Sequence, residues 1–407
     1  MTYRNIGIVI GFSAIFLVFT SNIVMNSDHF LQGAPFKKHK NNVSKFVKKL
    51  KERIKHQVEV HHHDIKKKDD KKKDDKKTAI VQHEYNFADE GDNKRIDFNF
   101  AAAGDFGCSK NAENTVSNME DKKPELVLPL GDLSYDKSAN CWLDLISPFS
   151  NELKVTLGFH DVNDGAPKMN QYNDTFNMKE PFGSFDYRHV HFVTMSSESE
   201  YQPGSAQYNF IIDDLNKASE NKDIDWIVVT TYGPFYTSPS THNAEKVLRE
   251  IYHPLFEKYD VDLVLQAHNH NYQRTYPISY NSAGDSANPI VKNQNMTGYN
   301  NDTKGTIFAI VGTGGESFYP LASQAPYVAN QIGGKFGFLD VDISNGNPHT
   351  KLTGTFYDNR GGNISDQFTI EKEIKNKDGD VQPEPQSSSD DTQKSSSDRD
   401  YLPSYGK

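Results

Sequence analysis

Cysteine is scarce in this sequence, with Cys108 and Cys141 the only two in 407 residues. That excludes a small disulfide-stapled scaffold and leaves apolar packing to hold the fold, for which 25 Phe and 20 Tyr suffice. No internal repeat is visible, and no basic stripe or nucleic-acid motif marks the central part of the chain, whose acidity would repel a phosphate backbone. The length allows one large domain with appendages or two modest ones.

The net charge of -10 conceals a strong asymmetry. Residues 37–77 carry 17 Lys and Arg against 7 Asp and Glu, a net of +10, which leaves -20 for the remainder. Ahead of that stretch, Ile6 to Phe19 is an apolar run with Arg4 before it, so residues 1–25 are expected to be a signal peptide or membrane anchor. No small-x-small cleavage pattern follows, which favours an uncleaved anchor. Residues 26–79 form a second unit. Val43, Phe46, Val47, Leu50, Ile54 and Val58 recur at helical spacing among lysines, which reads either as a basic helix on an anionic membrane or cell envelope or as a solvated stalk. The blocks HHHDIKKKDDKKKDDKK then form a charged linker. From residue 373 to 407 the composition is that of a disordered Ser- and Asp-rich tail. Five N-x-S/T acceptors, at Asn42, Asn173, Asn295, Asn301 and Asn363, fit an extracellular or cell-surface location.

Residues 80–372 read as one α/β domain. Five apolar runs end at polar residues capable of binding a ligand: FNFAAAGD at Asp105, ELVLPLGD at Asp132, LKVTLGFHD at His160, DWIVVTTY at Tyr232 and VDLVLQAHNH at His268 and His270. Continuous apolar runs of this length fit buried strands, and side chains at the carboxyl ends of neighbouring strands converge on one crevice. Helical patterns lie between them, at 210–218 and 244–258. Asp105, Asp132, Tyr135, His268 and His270 bring carboxylates, a phenol and two imidazoles to that crevice. Such a hard, anionic set favours Fe(III) over soft metals. His189 and His191 sit in a strand-like segment and read as structural.

These blocks resemble those of a known family. GDFG at Gly104 to Gly107, GDLSY at Gly131 to Tyr135, GFHD at Gly158 to Asp161, VVTTY at Val228 to Tyr232 and AHNH at Ala267 to His270 are similar to the ordered motifs of the purple acid phosphatases, among the calcineurin-like metallophosphoesterases. GTGGES at Gly312 to Ser317 and LTGTFYDN at Leu352 to Asn359 extend the resemblance. It implies a calcineurin-like sandwich, with two central mixed sheets flanked by helices. It also implies hydrolysis of phosphate monoesters at a two-metal centre, with an iron-bound hydroxide as nucleophile. Asp105, Tyr135 and His270 match the iron ligands, and Asp132 matches the carboxylate that bridges the metals. His160 matches the histidine that contacts phosphate or leaving group, Asp161 is expected to orient it, and His242 matches a proton donor.

The second-metal half departs from the family. Phe159 stands where the family has Asn, Tyr232 where it has His, and Ala267 where it has Gly, so of that half only His268 and Asp132 carry over. The expectation is one tightly held Fe(III) and a second divalent ion (Zn, Fe or Mn) that is weak or absent, with Tyr232 a further potential ligand. Phe159 is expected to fill the vacated space and exclude water, while Asp161, Asn163 and Asp164 are the nearest groups that could restore a donor. Cys108 and Cys141 belong to loops at the same rim and either pair or stay free. The functional expectation is an exported phosphatase. The alternatives are a non-hydrolytic relative that binds phosphate, a glycan or a surface partner, and a one-metal enzyme of altered chemistry.

Overall fold

A computed structural model describes residues 96–300, 303–346 and 348–374. The expected anchor, basic helix, charged linker and tail lie outside these residues. Among those described, no helix is long and apolar enough to cross a membrane.

Fifteen strands and six α-helices are described. In chain order the strands are β1 (Phe98–Ala103), β2 (Leu126–Pro129), β3 (Gly183–Tyr187), β4 (Val190–Thr194), β5 (Trp226–Thr230), β6 (Leu263–Gln266) and β7 (Tyr272–Thr275). They continue with β8 (Ile278–Ser279), β9 (Ile290–Val291), β10 (Gly298–Tyr299), β11 (Ile307–Val311), β12 (Val328–Ile332), β13 (Gly337–Asn345), β14 (His349–Asp358) and β15 (Asn363–Glu373). The helices are α1 (Lys110–Lys122), α2 (Asn140–Leu145), α3 (Phe159–Asn163), α4 (Ala166–Phe176), α5 (Ala206–Glu220) and α6 (Lys246–Lys258).

Two mixed sheets face one another. One runs β10-β15-β14-β13-β1-β2 and the other β12-β7-β11-β6-β5-β4-β3. This is the α/β sandwich expected from the alternating pattern. Parallel pairing joins β1 to β2 and links β4, β5, β6 and β11 in sequence, which places the carboxyl ends of β1, β2, β5 and β6 on one side.

The apolar runs are continuous because these strands are buried on both faces. In β5, Val228 points into the core between the sheets, whereas Ile227 and Val229 point to the outer layer. Leu263 and Leu265 of β6 share the inner core and Val264 the outer one, the period of two that a strand imposes. Helices α5 and α6 cover that outer face with Ile211, Leu215, Leu248, Tyr252 and Phe256. At about 25 cal/mol per Å² of apolar surface, this two-sided burial is the main favourable term.

The third apolar run departs from expectation. Residues 153–157 form no ladder and keep two isolated parallel bridges, Val127 with Leu153 and Leu130 with Thr156. The chain leaves the sheet there because Gly158 caps α3, and the amide of His160, two residues on, turns to donate to Asp132 Oδ1 at 2.7 Å. Gly158 tolerates no side chain: an added Cβ would lie 2.4 Å from the Asp132 nitrogen and 2.8 Å from Tyr232 Cδ2.

Candidate metal centre

The crevice is built from backbone that is held in an uncommon conformation. Asp105 follows β1 with φ 56°, Asp132 follows β2 with φ 46°, and His268 follows β6 with φ 72°. Left-handed conformations cost non-glycine residues on the order of 1 kcal/mol each, so their clustering at one place marks a functional site. Surrounding bonds hold these turns. Asp105 Oδ2 accepts from the His268 amide at 3.0 Å, and the Asp105 carbonyl accepts from Gly315 and Glu316 at 3.1 and 3.0 Å.

Three donor atoms meet above this frame. Tyr135 Oη donates to Asp105 Oδ1 at 3.3 Å and lies 3.1 Å from His270 Nε2, while that nitrogen lies 3.5 Å from Asp105 Oδ1. Donors about 2.0–2.2 Å from a shared ion and roughly 90–110° apart would be separated by about 3–3.5 Å, so this half of the crevice fits one ion. The other ring nitrogen of His270, Nδ1, donates to the Ser317 carbonyl at 2.5 Å, which leaves Nε2 as the donor toward the crevice. Its ring is stacked on Tyr319 with centroids 3.8 Å apart.

The electrostatics call for a cation. Burial and then the adjacent Asp105 charge push the Asp132 carboxyl up to about 7, above the usual carboxylate range. The Tyr135 phenol is pushed up by burial and then by Asp105 and Asp132. A cation among these oxygens would reverse both effects.

The other half is arranged differently. Tyr232 Oη donates to Asp132 Oδ2 and lies 2.7 Å from His268 Nδ1. With the phenol proton facing Asp132, the proton between Tyr232 and His268 comes from Nδ1. The lone pair at Nδ1 is thereby consumed. His268, Tyr232 and Asp132 form a closed hydrogen-bonded chain where the family places its second ion, and this half does not fit a metal as it stands. Burial and the ring of His242 hold the His268 pKa down to about 4, while burial, Asp105 and Asp132 push the Tyr232 phenol far up.

Three expectations need correction. Phe159 does not fill the vacated position; it is 47% exposed at the rim. Asp161 does not orient His160. Its buried carboxylate accepts from the amides of Leu133 and Gly158 at 3.0 and 2.9 Å, so it ties two loops together. Asp164, one turn along α3, takes the His160 Nδ1 at 3.1 Å and also accepts from Lys168 Nζ at 2.9 Å. Asn163 donates from Nδ2 to Glu198 at 3.2 Å, so each of these three groups is already engaged in a bond of its own.

His160 itself reaches the crevice, with its ring centroid 4.6 Å from that of Tyr135. His242 arrives from the loop after β5, its amide held by Asn269 Oδ1 at 3.0 Å and its ring stacked 3.8 Å from His268. Sequence reasoning overlooked Lys168 and Tyr319. The i, i+4 spacing of Asp164 and Lys168 was a readable signal; nothing local pointed to Tyr319. His191 is buried in β4 between Asp186 and Asp214, at 2.6 and 2.9 Å, away from the crevice. Cys108 and Cys141 are joined in a disulfide, with Cα atoms 6.0 Å apart, so the sulfurs that lie with Asp136 are spent on one another.

Residues 98–272 match the family model for calcineurin-like phosphoesterases. The matched stretch is similar to a calcineurin-like phosphoesterase domain, and the relatives it resembles are purple acid phosphatases. It is similar to purple acid phosphatase 1 of Ipomoea batatas, 26% identical over 260 residues that cover 54% of this chain and 51% of that one. The chain spans about half the length of the first curated relatives it matches. Among solved structures, the purple acid phosphatase PPD1 of yellow lupin superposes with a TM-score of 0.60 at 21% identity, covering 69% of this chain and 55% of that one. GAP50, described as the anchor in the inner membrane complex of Plasmodium, superposes with a TM-score of 0.52 at 15% identity, covering 69% and 90%. These two likenesses concern the fold.

Proposed function

We propose that this chain is a purple-acid-phosphatase-like hydrolase of phosphate monoesters that works with one tightly held iron. The observation that carries the reading is the trio of Asp105, Tyr135 and His270 donor atoms within 3.5 Å of one another, beside Asp132. Two anionic oxygens, a phenol and one imidazole suit a hard trivalent ion. When bound, the ion supplies a Lewis acid for a phosphoryl oxygen. The protein's own groups do the rest. With Nδ1 held by Asp164, His160 has Nε2 left to meet a phosphoryl oxygen or the leaving group. His242, packed on His268 at the other side, is the second group placed to give a proton to the departing oxygen.

The test is metal per chain, the visible spectrum and turnover of a generic phosphomonoester by iron-loaded protein. One iron, a visible absorption band and turnover above that of Asp132→Asn support the reading. Turnover no higher than in Asp132→Asn overturns hydrolysis, and absence of bound metal overturns the ligand set.

A second reading rests on the bonds of Tyr232. A hydrogen-bonded chain in place of a second ion suits a non-hydrolytic relative that binds phosphate, a glycan or a surface partner, or a one-metal enzyme of altered chemistry. A fold does not fix its chemistry, and one protein of similar fold is described as an anchor. For location, we infer an extracellular or cell-surface protein tethered at its N-terminus, with residues 37–77 against an anionic membrane or envelope. The exposure of the acceptors Asn295 and Asn363 supports it. In protein lacking residues 1–25, further removal of residues 37–77 should weaken binding to anionic vesicles, and equal binding without them would refute the contact of that stretch with the membrane.

A further inference from the structure

We propose that Phe159 is a stacking platform for the leaving group, so that, given the phosphoesterase reading above, the site favours phosphate esters of planar aromatic groups over alkyl phosphates. Phe159 opens α3 and is 47% exposed. A lone exposed phenyl is unremarkable on a protein surface, and position is what sets this one apart. Its neighbours on both sides are held, one of them by the crevice itself. The His160 amide donates to Asp132 Oδ1 at 2.7 Å, and the Gly158 amide to Asp161 Oδ2 at 2.9 Å. The backbone that carries the ring is therefore anchored to the carboxylate at the centre of the site.

The ring is also open. Among the described residues its ring contact is with His160, nearly perpendicular at 87° with centroids 5.5 Å apart. Phe318, the other exposed phenyl near the crevice, has a face covered by Phe336, stacked at 4.0 Å. Phe159 thus offers an uncovered face one residue from the histidine placed to meet the phosphoryl group. An ester whose phosphate sits at His160 extends its leaving group toward that face. An alkyl chain gains little there, whereas an aryl ring or a nucleobase gains offset-stacked contact and buries the phenyl from water.

The test titrates phenyl phosphate, adenosine monophosphate, glycerol 2-phosphate and inorganic phosphate into iron-loaded protein, with binding read by calorimetry. Phenyl phosphate and adenosine monophosphate should bind about 3- to 10-fold tighter than glycerol 2-phosphate. Phe159→Ala, a change at an exposed position, should erase that preference and Phe159→Trp should keep it. Tighter binding of adenosine monophosphate than of phenyl phosphate identifies a nucleoside ester, and the reverse order a simple aryl ester. Inorganic phosphate bound with no aromatic preference, or a preference that survives Phe159→Ala, overturns the platform alone. Failure of all four probes to bind overturns the phosphoesterase reading together with it.

Discussion

The phenol of Tyr232 joins Asp132 to His268, 100 residues away on one side and 36 on the other, and lies 2.7 Å from His268 Nδ1. A side chain that carries its own proton thereby occupies the space between two groups that match second-metal positions in the purple acid phosphatases it resembles. The consequence is specific to this half of the crevice, since Asp105, Tyr135 and His270 remain grouped around a separate point.

Replacing that phenol should change metal content. Tyr232→His together with Phe159→Asn returns two neutral donors and frees His268 Nδ1, so elemental analysis is expected to rise from one metal per chain to two. Tyr232→Phe removes the hydrogen bonds and adds no donor, and is expected to stay at one. Equal metal content in all three proteins would refute the role assigned to Tyr232.

The support of His160 makes a stability prediction. Lys168 is fully buried, and its ammonium donates to the Ser134 carbonyl at 2.8 Å and to Asp164 at 2.9 Å. Asp164→Ala leaves a buried cation with one partner and should cost about 1–3 kcal/mol in urea unfolding. Lys168→Met should cost less, because Asp164 is partly exposed and water can replace its partner.

His191 makes a pH prediction remote from the crevice. Burial acts to lower its pKa, but hydrogen bonds to Asp186 and Asp214 outweigh that and raise it to about 9. A folded pKa above the unfolded value of about 6.5 means the stabilisation is complete below that pH. It is lost as pH rises through about 9. Thermal unfolding of the wild type should therefore weaken between these limits, and His191→Gln should flatten the profile there. A profile unchanged by the substitution would contradict the assignment.

The disulfide closes a separation of 33 residues between the loop after β1 and the start of α2. Chain-entropy reasoning assigns such a link about 3–4 kcal/mol. Cys108→Ser with Cys141→Ser should lower the denaturation midpoint accordingly. No loss of stability would show that the link constrains little.

Much of this architecture is written locally. Runs such as ELVLPL and VDLVLQ are buried strands because unbroken apolar residues need cover on both faces, and the chain turns where they end, at a Gly-Asp step after FNFAAA and ELVLPL and at Ala267-His268 after VDLVLQ. Those two facts place Asp105, Asp132, His268 and His270 at strand ends, and parallel order brings the ends together. The sequence by itself therefore determined the sandwich and the residue types gathered at its rim. Only the tertiary structure decided which of them meet. Asp161 and Asp164 both follow His160 closely, yet the turn of α3 gives the imidazole to Asp164 and sends Asp161 inward to two amides. Phe159 points to water because the His160 amide is bound to Asp132. Contacts such as Tyr135 with His270, 135 residues apart, depend on strand register and loop closure across the whole domain, which no local pattern encodes.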